Sequence, residues 1–138
     1  MKPQHQTTFG NGKNGREPGN CFAACIASIL EVPLTEVPNF CATPEWVKEL
    51  NLWLFPRGFF YVDFRMAEDC PPEEVFCWAG YHVISGDGPR GCRHSVVGRA
   101  GKIVHDPHPS GAGLLTEEEY GFLIPLDPAA IGQTANAV

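Results

Sequence analysis

The chain has 138 residues, 43% of them hydrophobic, with nine Phe and a formal net charge of −6. That length and apolar content fit one globular domain with a sizeable core and exclude a disordered chain. Lys and Arg are scattered singly with no basic cluster, so nucleic acid is not an expected partner. No apolar run reaches the roughly 18 residues a membrane helix needs. The stretch Met1–Gln6 has a charge but no apolar segment behind it and does not read as a secretory signal.

Residues 7–20 are rich in Gly and Asn and read as a loop. Cys21 to Glu31 follows as a helix, with Asn20 as N-cap and Phe22, Cys25, Ile26, Ile29 and Leu30 as its apolar stripe. Pro33 and Pro38 stop it. A second helix fits Pro44 to about Leu54, with Thr43 as N-cap, Pro44 at the first helical position and Trp46, Val47, Leu50 and Leu54 as the buried face. The remainder reads as strands at Phe59–Phe64, Tyr81–Ile84, Arg93–Gly98, Lys102–His105 and Tyr120–Leu126. Cys70-Pro71-Pro72-Glu73-Glu74 breaks the pattern, and Thr116 with Glu119 resembles a capping box for one helical turn. Residues 1–126 read as the single domain and 127–138 as a flexible tail.

Six Cys without a CxxC pair, in a chain with no recognisable signal, predict free thiols and a cytoplasmic location. Cys25, Cys41 and Cys77 sit among apolar residues and read as small buried hydrophobes. Cys21 differs. It opens a helix, where unsatisfied N–H groups and the dipole favour a thiolate, and Gly19 lets the backbone turn tightly before it. Taken by itself, Cys21 reads more readily as one more buried Cys at a helix start.

His94 lies on one predicted strand and Asp106, before Pro107, ends the next. A three-residue loop Arg99-Ala100-Gly101 would oppose Gly98 to Lys102, Val96 to Val104 and His94 to Asp106. Opposed side chains share a face with Cβ atoms about 4.5–5.5 Å apart, which suits an imidazole–carboxylate hydrogen bond. A two-residue turn at Ala100-Gly101 would oppose Asp106 to Ser95 and put His94 and Asp106 on different faces. Both registers are open at this level. So is a structural reading of each residue: a sheet histidine, and an Asp-Pro turn. A zinc site from Cys21, Cys25, His105 and His108 is a further alternative, although the spacing matches no common finger or ribbon. His82 reads as structural.

The stretch His94-Ser-Val-Val-Gly-Arg-Ala-Gly-Lys-Ile-Val-His-Asp106-Pro107, followed by Gly113-Leu-Leu-Thr-Glu-Glu-Glu-Tyr120, resembles the C-terminal half of C39-like peptidases of the papain-like fold. Gly19-Asn-Cys21-Phe-Ala-Ala-Cys-Ile-Ala-Ser-Ile-Leu30 resembles their nucleophile helix, and the chain also resembles small papain-fold proteins of bacteria and phages. The resemblance covers most of residues 6–122. It implies Cys21 as nucleophile, His94 as base, Asp106 as orienting carboxylate and an upstream Gln as oxyanion donor. Gln6 is the assigned candidate, and a Gly/Asn-rich insertion separates it from Cys21. Asn20-Cys21-Phe22 stands where the family often has Asp-Cys-Gly.

The resulting expectation is an α+β, papain-like fold with an N-terminal nucleophile helix packed on an antiparallel sheet. The expected activity is cysteine-dependent hydrolysis of a peptide, isopeptide or other amide bond through an acyl-enzyme, on a peptide or protein substrate and without cofactor or metal. Its rivals are a thiol acyltransferase and a catalytically silent papain-fold protein that binds a partner.

Overall fold

The computed structural model describes residues 1–65 and 80–127. The Cys70–Glu74 break, the burial of Cys77 and the tail beyond Asp127 lie outside the described residues. The elements are α1 (Cys21–Leu30), α2 (Trp46–Leu54) and five strands: β1 (Phe59–Arg65), β2 (Tyr81–Asp87), β3 (Arg93–Arg99), β4 (Lys102–His105) and β5 (Glu119–Pro125). The strands form one antiparallel sheet in the order β1-β5-β2-β3-β4. The architecture is α+β, as the sequence predicts. Among the described residues no helix is long and apolar enough to cross a membrane.

Helix α1 is buried on nearly all sides, from Phe22 through Ile29. Its Ala- and Ile-rich sequence fits that setting, because an all-round apolar helix must be covered all round. It ends where Glu31 turns left-handed at φ 58° and its N–H returns to the Ala27 carbonyl. Pro33, two residues on, cannot continue it. Adjacent strand residues alternate between two cores. Val83, Val97 and Leu123 pack with Phe22, Ile26, Leu50 and Leu54 on the helical side. Ile84, Val96, Tyr120 and Phe122 form a second cluster, with Leu114 against it.

Several expectations need correction. Helix α2 starts at Trp46, with Glu45 at the cap position, rather than at Pro44. Thr43 instead donates its hydroxyl to the Phe40 carbonyl, which closes a short 3₁₀ turn. Thr116 and Glu119 form no helical turn. Thr116 Oγ1 accepts the Asp87 N–H and donates to Glu118, while Glu119 begins β5. Strand β2 runs on through Asp87, because Arg93 and His94 extend β3 and give it pairing partners.

The β3–β4 connection is the two-residue turn, with Arg99 opposite Lys102. Ala100 and Gly101 both take positive φ, 51° and 79°, as the tight hairpin turn demands. A bulge then intervenes: Gly98 opposes Ile103, but Val97 opposes His105, so Val104 is the extra residue. The imidazole of buried His82 accepts the Gly101 N–H at 3.1 Å and holds the turn against β2. His82 is thus a structural histidine, and burial pushes its pKa down to about 4.

Gly121 is where the Tyr61 phenol crosses β5, since a Cβ built there would lie 1.9 Å from the Tyr61 hydroxyl. Gly121→Ala must displace that ring, and overpacking of this kind costs roughly 1–3 kcal/mol. We expect a lower urea midpoint at unchanged slope, and a wild-type midpoint would contradict the packing described.

Candidate active site

Cys21, His94 and Gln6 line one cleft of about 1130 Å³. Each reaches it by a different local device. Cys21 is the first residue of α1, and Asn20 occupies the cap position without capping the helix. The Asn20 carboxamide instead accepts the N–H groups of Thr7 and Thr8, at 2.8 and 3.0 Å, and donates to the Thr7 hydroxyl. Asn20 therefore ties the segment carrying Gln6 to the start of α1.

The Gly/Asn-rich insertion is a closed excursion. Gly19 N–H bonds the Gly10 carbonyl at 2.7 Å, Asn20 N–H bonds the Thr8 carbonyl, and Asn11 bridges Pro18. Gly10 is obligatory at this closure, because a Cβ there would lie 1.8 Å from the Glu17 carbonyl oxygen. The chain leaves after Thr8 and returns at Gly19, so Gln6 sits beside the helix start despite its separation in sequence. Its Nε2 would lie 3.4 Å from a Cβ on Gly19. Gln6 is buried; its Nε2 donates to the Thr8 carbonyl, and its Oε1 has no hydrogen-bond partner among the described residues.

His94 Nε2 lies 2.7 Å from Asp106 Oδ1, with both side chains almost fully buried. The bulge at Val104 makes this possible. A regular two-residue register would have opposed Asp106 to Ser95; one extra residue restores Asp106 to the parity of His94. The carboxylate also accepts the His108 N–H on Oδ1 and the Gly113 N–H on Oδ2. Burial pushes the Asp106 pKa up, but the hydrogen bonds from His94, Gly113 and His108 outweigh it, and the net shift is downward. An ionised carboxylate requires the proton on Nε2, which leaves the neutral imidazole with its lone pair on Nδ1.

The Cys21 thiol is pushed above its ordinary range by burial, against which the Ser95 and Phe22 N–H groups act in the opposite sense. Burial of the thiol thus works against the thiolate that the helix start favours. His94 makes its hydrogen bond to Asp106 and none to Cys21 Sγ. Such contacts commonly tighten only when substrate is bound.

Among the described residues no group of three or more His, Cys, Asp or Glu side chains is arranged to hold a metal. Cys25 is sealed in the core, and His105 donates to the Gln4 carbonyl. Cys41 corrects an expectation: it is exposed and lines the cleft, because the short 3₁₀ turn Phe40–Ala42 buries Phe40 instead. Cys92, which the sequence does not single out, and His108, weighed there only as a zinc ligand, line the same cleft. The ring of His108 stands edge-on to His94 with centroids 6.3 Å apart. The Asp-Pro-His order was the available signal for His108, since an Asp that accepts the N–H two residues on folds that residue back over its neighbour. The aromatic trio Phe22, Trp46 and Tyr61, mutually edge-to-face at 5.3–6.0 Å, forms an apolar side of the cleft.

No family model matches the chain, and comparison with curated proteins and with solved structures gives no match.

Because the Asp106 pKa is lowered on folding, its carboxylate stabilises the fold above the ordinary pKa of 3.8, and that contribution is lost as pH falls below this value. We expect Asp106→Asn to cost about 1–2 kcal/mol at neutral pH, the loss of a charge-assisted hydrogen bond. The gap between wild type and variant should close in denaturation curves taken at progressively more acid pH. A gap that persists unchanged in strong acid would contradict the assignment.

Proposed function

We propose that this chain is a cysteine-dependent hydrolase of papain-like architecture that cleaves a peptide, isopeptide or other amide bond. The observation that supports it is that Cys21, His94 and Gln6 all line one cleft, with His94 bonded to a buried, ionised Asp106. The resemblance of the His94–Tyr120 and Gly19–Leu30 stretches to C39-like peptidases points the same way.

In this reading the substrate carbonyl lies against the N-terminus of α1. His94 Nδ1 removes the Sγ proton as Cys21 attacks the carbonyl carbon, so no standing thiolate is needed. This suits a thiol whose pKa burial has raised. The oxyanion receives the Cys21 backbone N–H and the second N–H of Gln6 Nε2, the first being held by the Thr8 carbonyl. His94 then returns the proton to the departing amine. Water, deprotonated by His94, attacks the thioester, and collapse releases the acid and the Cys21 thiol. Asp106 keeps the imidazole in the required tautomer throughout.

An electrophilic amide-mimic probe, followed by mapping of the adduct, tests this directly. We expect modification of Cys21 in preference to the cleft thiols Cys41 and Cys92, and its loss in His94→Ala. Modification of Cys41 or Cys92 with Cys21 untouched would overturn the reading, as would an active Cys21→Ala protein. Where turnover is measured, Gln6→Ala should lower kcat by about 10²–10³-fold, the usual cost of one oxyanion donor. An unchanged kcat would remove Gln6 from the mechanism.

A further inference from the structure

The charge of the cleft opposes that of the chain. The protein carries a net charge of −6 and only 10 Lys and Arg. Among the described residues five of those ten line the cleft, Lys13, Arg16, Arg65, Arg90 and Arg93, against two carboxylates, Asp87 and Glu119.

The carboxylates there are already engaged. Arg93 contacts Glu118 at 2.8 Å, Glu119 at 3.4 Å and Asp87 at 3.8 Å. Arg65 contacts Glu119 at 2.7 Å and Glu118 at 3.9 Å. This network neutralises Arg65 and Arg93 and leaves Lys13, Arg16 and Arg90 lining the cleft with no carboxylate partner among the described residues.

These three cations come from two segments that the fold fixes in place. Lys13 and Arg16 stand at the tip of the insertion. There Gly12, Asn14 and Gly15 take φ of 70°, 56° and 72°, and Arg16 N–H closes on the Lys13 carbonyl at 3.1 Å. The base of the insertion is sealed at Gly10 and Gly19, so the tip is not a loose arm. Arg90 belongs to the β2–β3 turn and reaches the Ser110 hydroxyl at 3.3 Å, on the loop that also carries His108. The insertion meets that same loop where the Phe9 ring packs edge-on against His108 at 5.3 Å.

We infer that the cleft binds an acidic polypeptide segment, whose Asp or Glu side chains engage Lys13 and Arg16 on one segment and Arg90 on the other, beside Cys21. This rests on the reading of Cys21 as the nucleophile acting on an amide. The apolar side formed by Phe22, Trp46 and Tyr61 gives the same cleft room for a non-polar side chain between the acidic ones. A polyanion such as single-stranded nucleic acid is disfavoured by the net negative charge outside the cleft.

The test measures binding apart from turnover, on full-length protein carrying Cys21→Ala. Two labelled octapeptide pools are compared by fluorescence anisotropy: one with half its positions fixed as Asp or Glu, the other with Asn or Gln there. The acidic pool should bind about tenfold or more tightly than its amide counterpart, with an advantage that shrinks as salt rises. The exposed triple change Lys13→Glu, Arg16→Glu, Arg90→Glu should abolish that advantage while circular dichroism stays unchanged. Equal binding of the two pools, no binding of the acidic pool, or tighter binding of a labelled oligothymidine would each overturn the inference. Labelling of Cys21 by an uncharged amide-mimic probe, in an otherwise wild-type chain with and without the triple change, separates the two claims. Labelling with no acidic preference sinks only the substrate class. Acidic preference with no labelling sinks the thiol chemistry and leaves a binding cleft.

Discussion

The site depends on one extended segment, Lys2 to Thr8, which is laced between the two halves of the molecule. On one side Lys2 N–H bonds the Ser28 carbonyl and Gln4 N–H bonds the Ser28 hydroxyl, deep in α1. On the other, Gln6 N–H and the His5 ring both donate to the Pro107 carbonyl, and the His105 ring donates to the Gln4 carbonyl. Near its end Asn20 clamps Thr7 and Thr8. The helix that presents Cys21 and the turn that carries Asp106 are therefore held to a common strap, and Gln6 is part of it. A buried helix packed only by apolar side chains could slide by a fraction of a turn at small cost. Hydrogen bonds to Ser28 at one end and to Pro107 at the other fix its position along its axis, because each buried donor left unpaired would cost about 1–3 kcal/mol.

The same strap explains why the thiol and the imidazole are set up so differently. Asp106 gathers three donors and stays ionised although it is buried. Cys21 receives backbone N–H groups but too few to offset its desolvation. The result is an imidazole held in one tautomer by a buried carboxylate, on the same cleft as a thiol whose burial favours its protonated form. Under the proposed chemistry this division restrains adventitious alkylation and oxidation of the thiol, since both proceed through the thiolate. Cys25 is more inert still. Full burial drives its pKa well up, and the nearby Cys21 and Asp106 raise it further.

How far the chain could be read before its structure varies with the range of the interaction concerned. The helix from Cys21 and the strand segments were legible because their periodicity, Pro stops and β-branched content act locally. Helix α2 was placed two residues early, because Pro44 and Thr43 carry generic start signals that a 3₁₀ turn at Phe40 diverts. The same turn explains Cys41: an apolar neighbourhood in sequence places Phe40 inside and Cys41 outside. Thr116 and Glu119 satisfy a capping-box spacing, but Asp87 claims the Thr116 hydroxyl across the sheet. Cys21, His94 and Asp106 were legible by residue type and order. The closeness of Gln6 to Cys21 was not, because it depends on a long-range closure at Gly10 and Gly19 that no local signal encodes.

The bulge at Val104 shows most clearly why an outcome can agree with expectation while its cause differs. A three-residue loop was the route by which His94 and Asp106 would share a face. The chain takes the two-residue turn instead, since Ala100-Gly101 can adopt two successive left-handed residues and His82 rewards that turn by accepting the Gly101 N–H. That choice alone would have turned Asp106 away. One surplus residue in β4 reverses the parity again, and β4 lies at the sheet edge, where a missing ladder bond is exposed to water and costs least. It also lets His105 point to the Gln4 carbonyl while Asp106 points to His94, so one irregularity serves the strap and the imidazole together. The site is thus built on an edge strand because that is where the sheet tolerates the irregularity it requires.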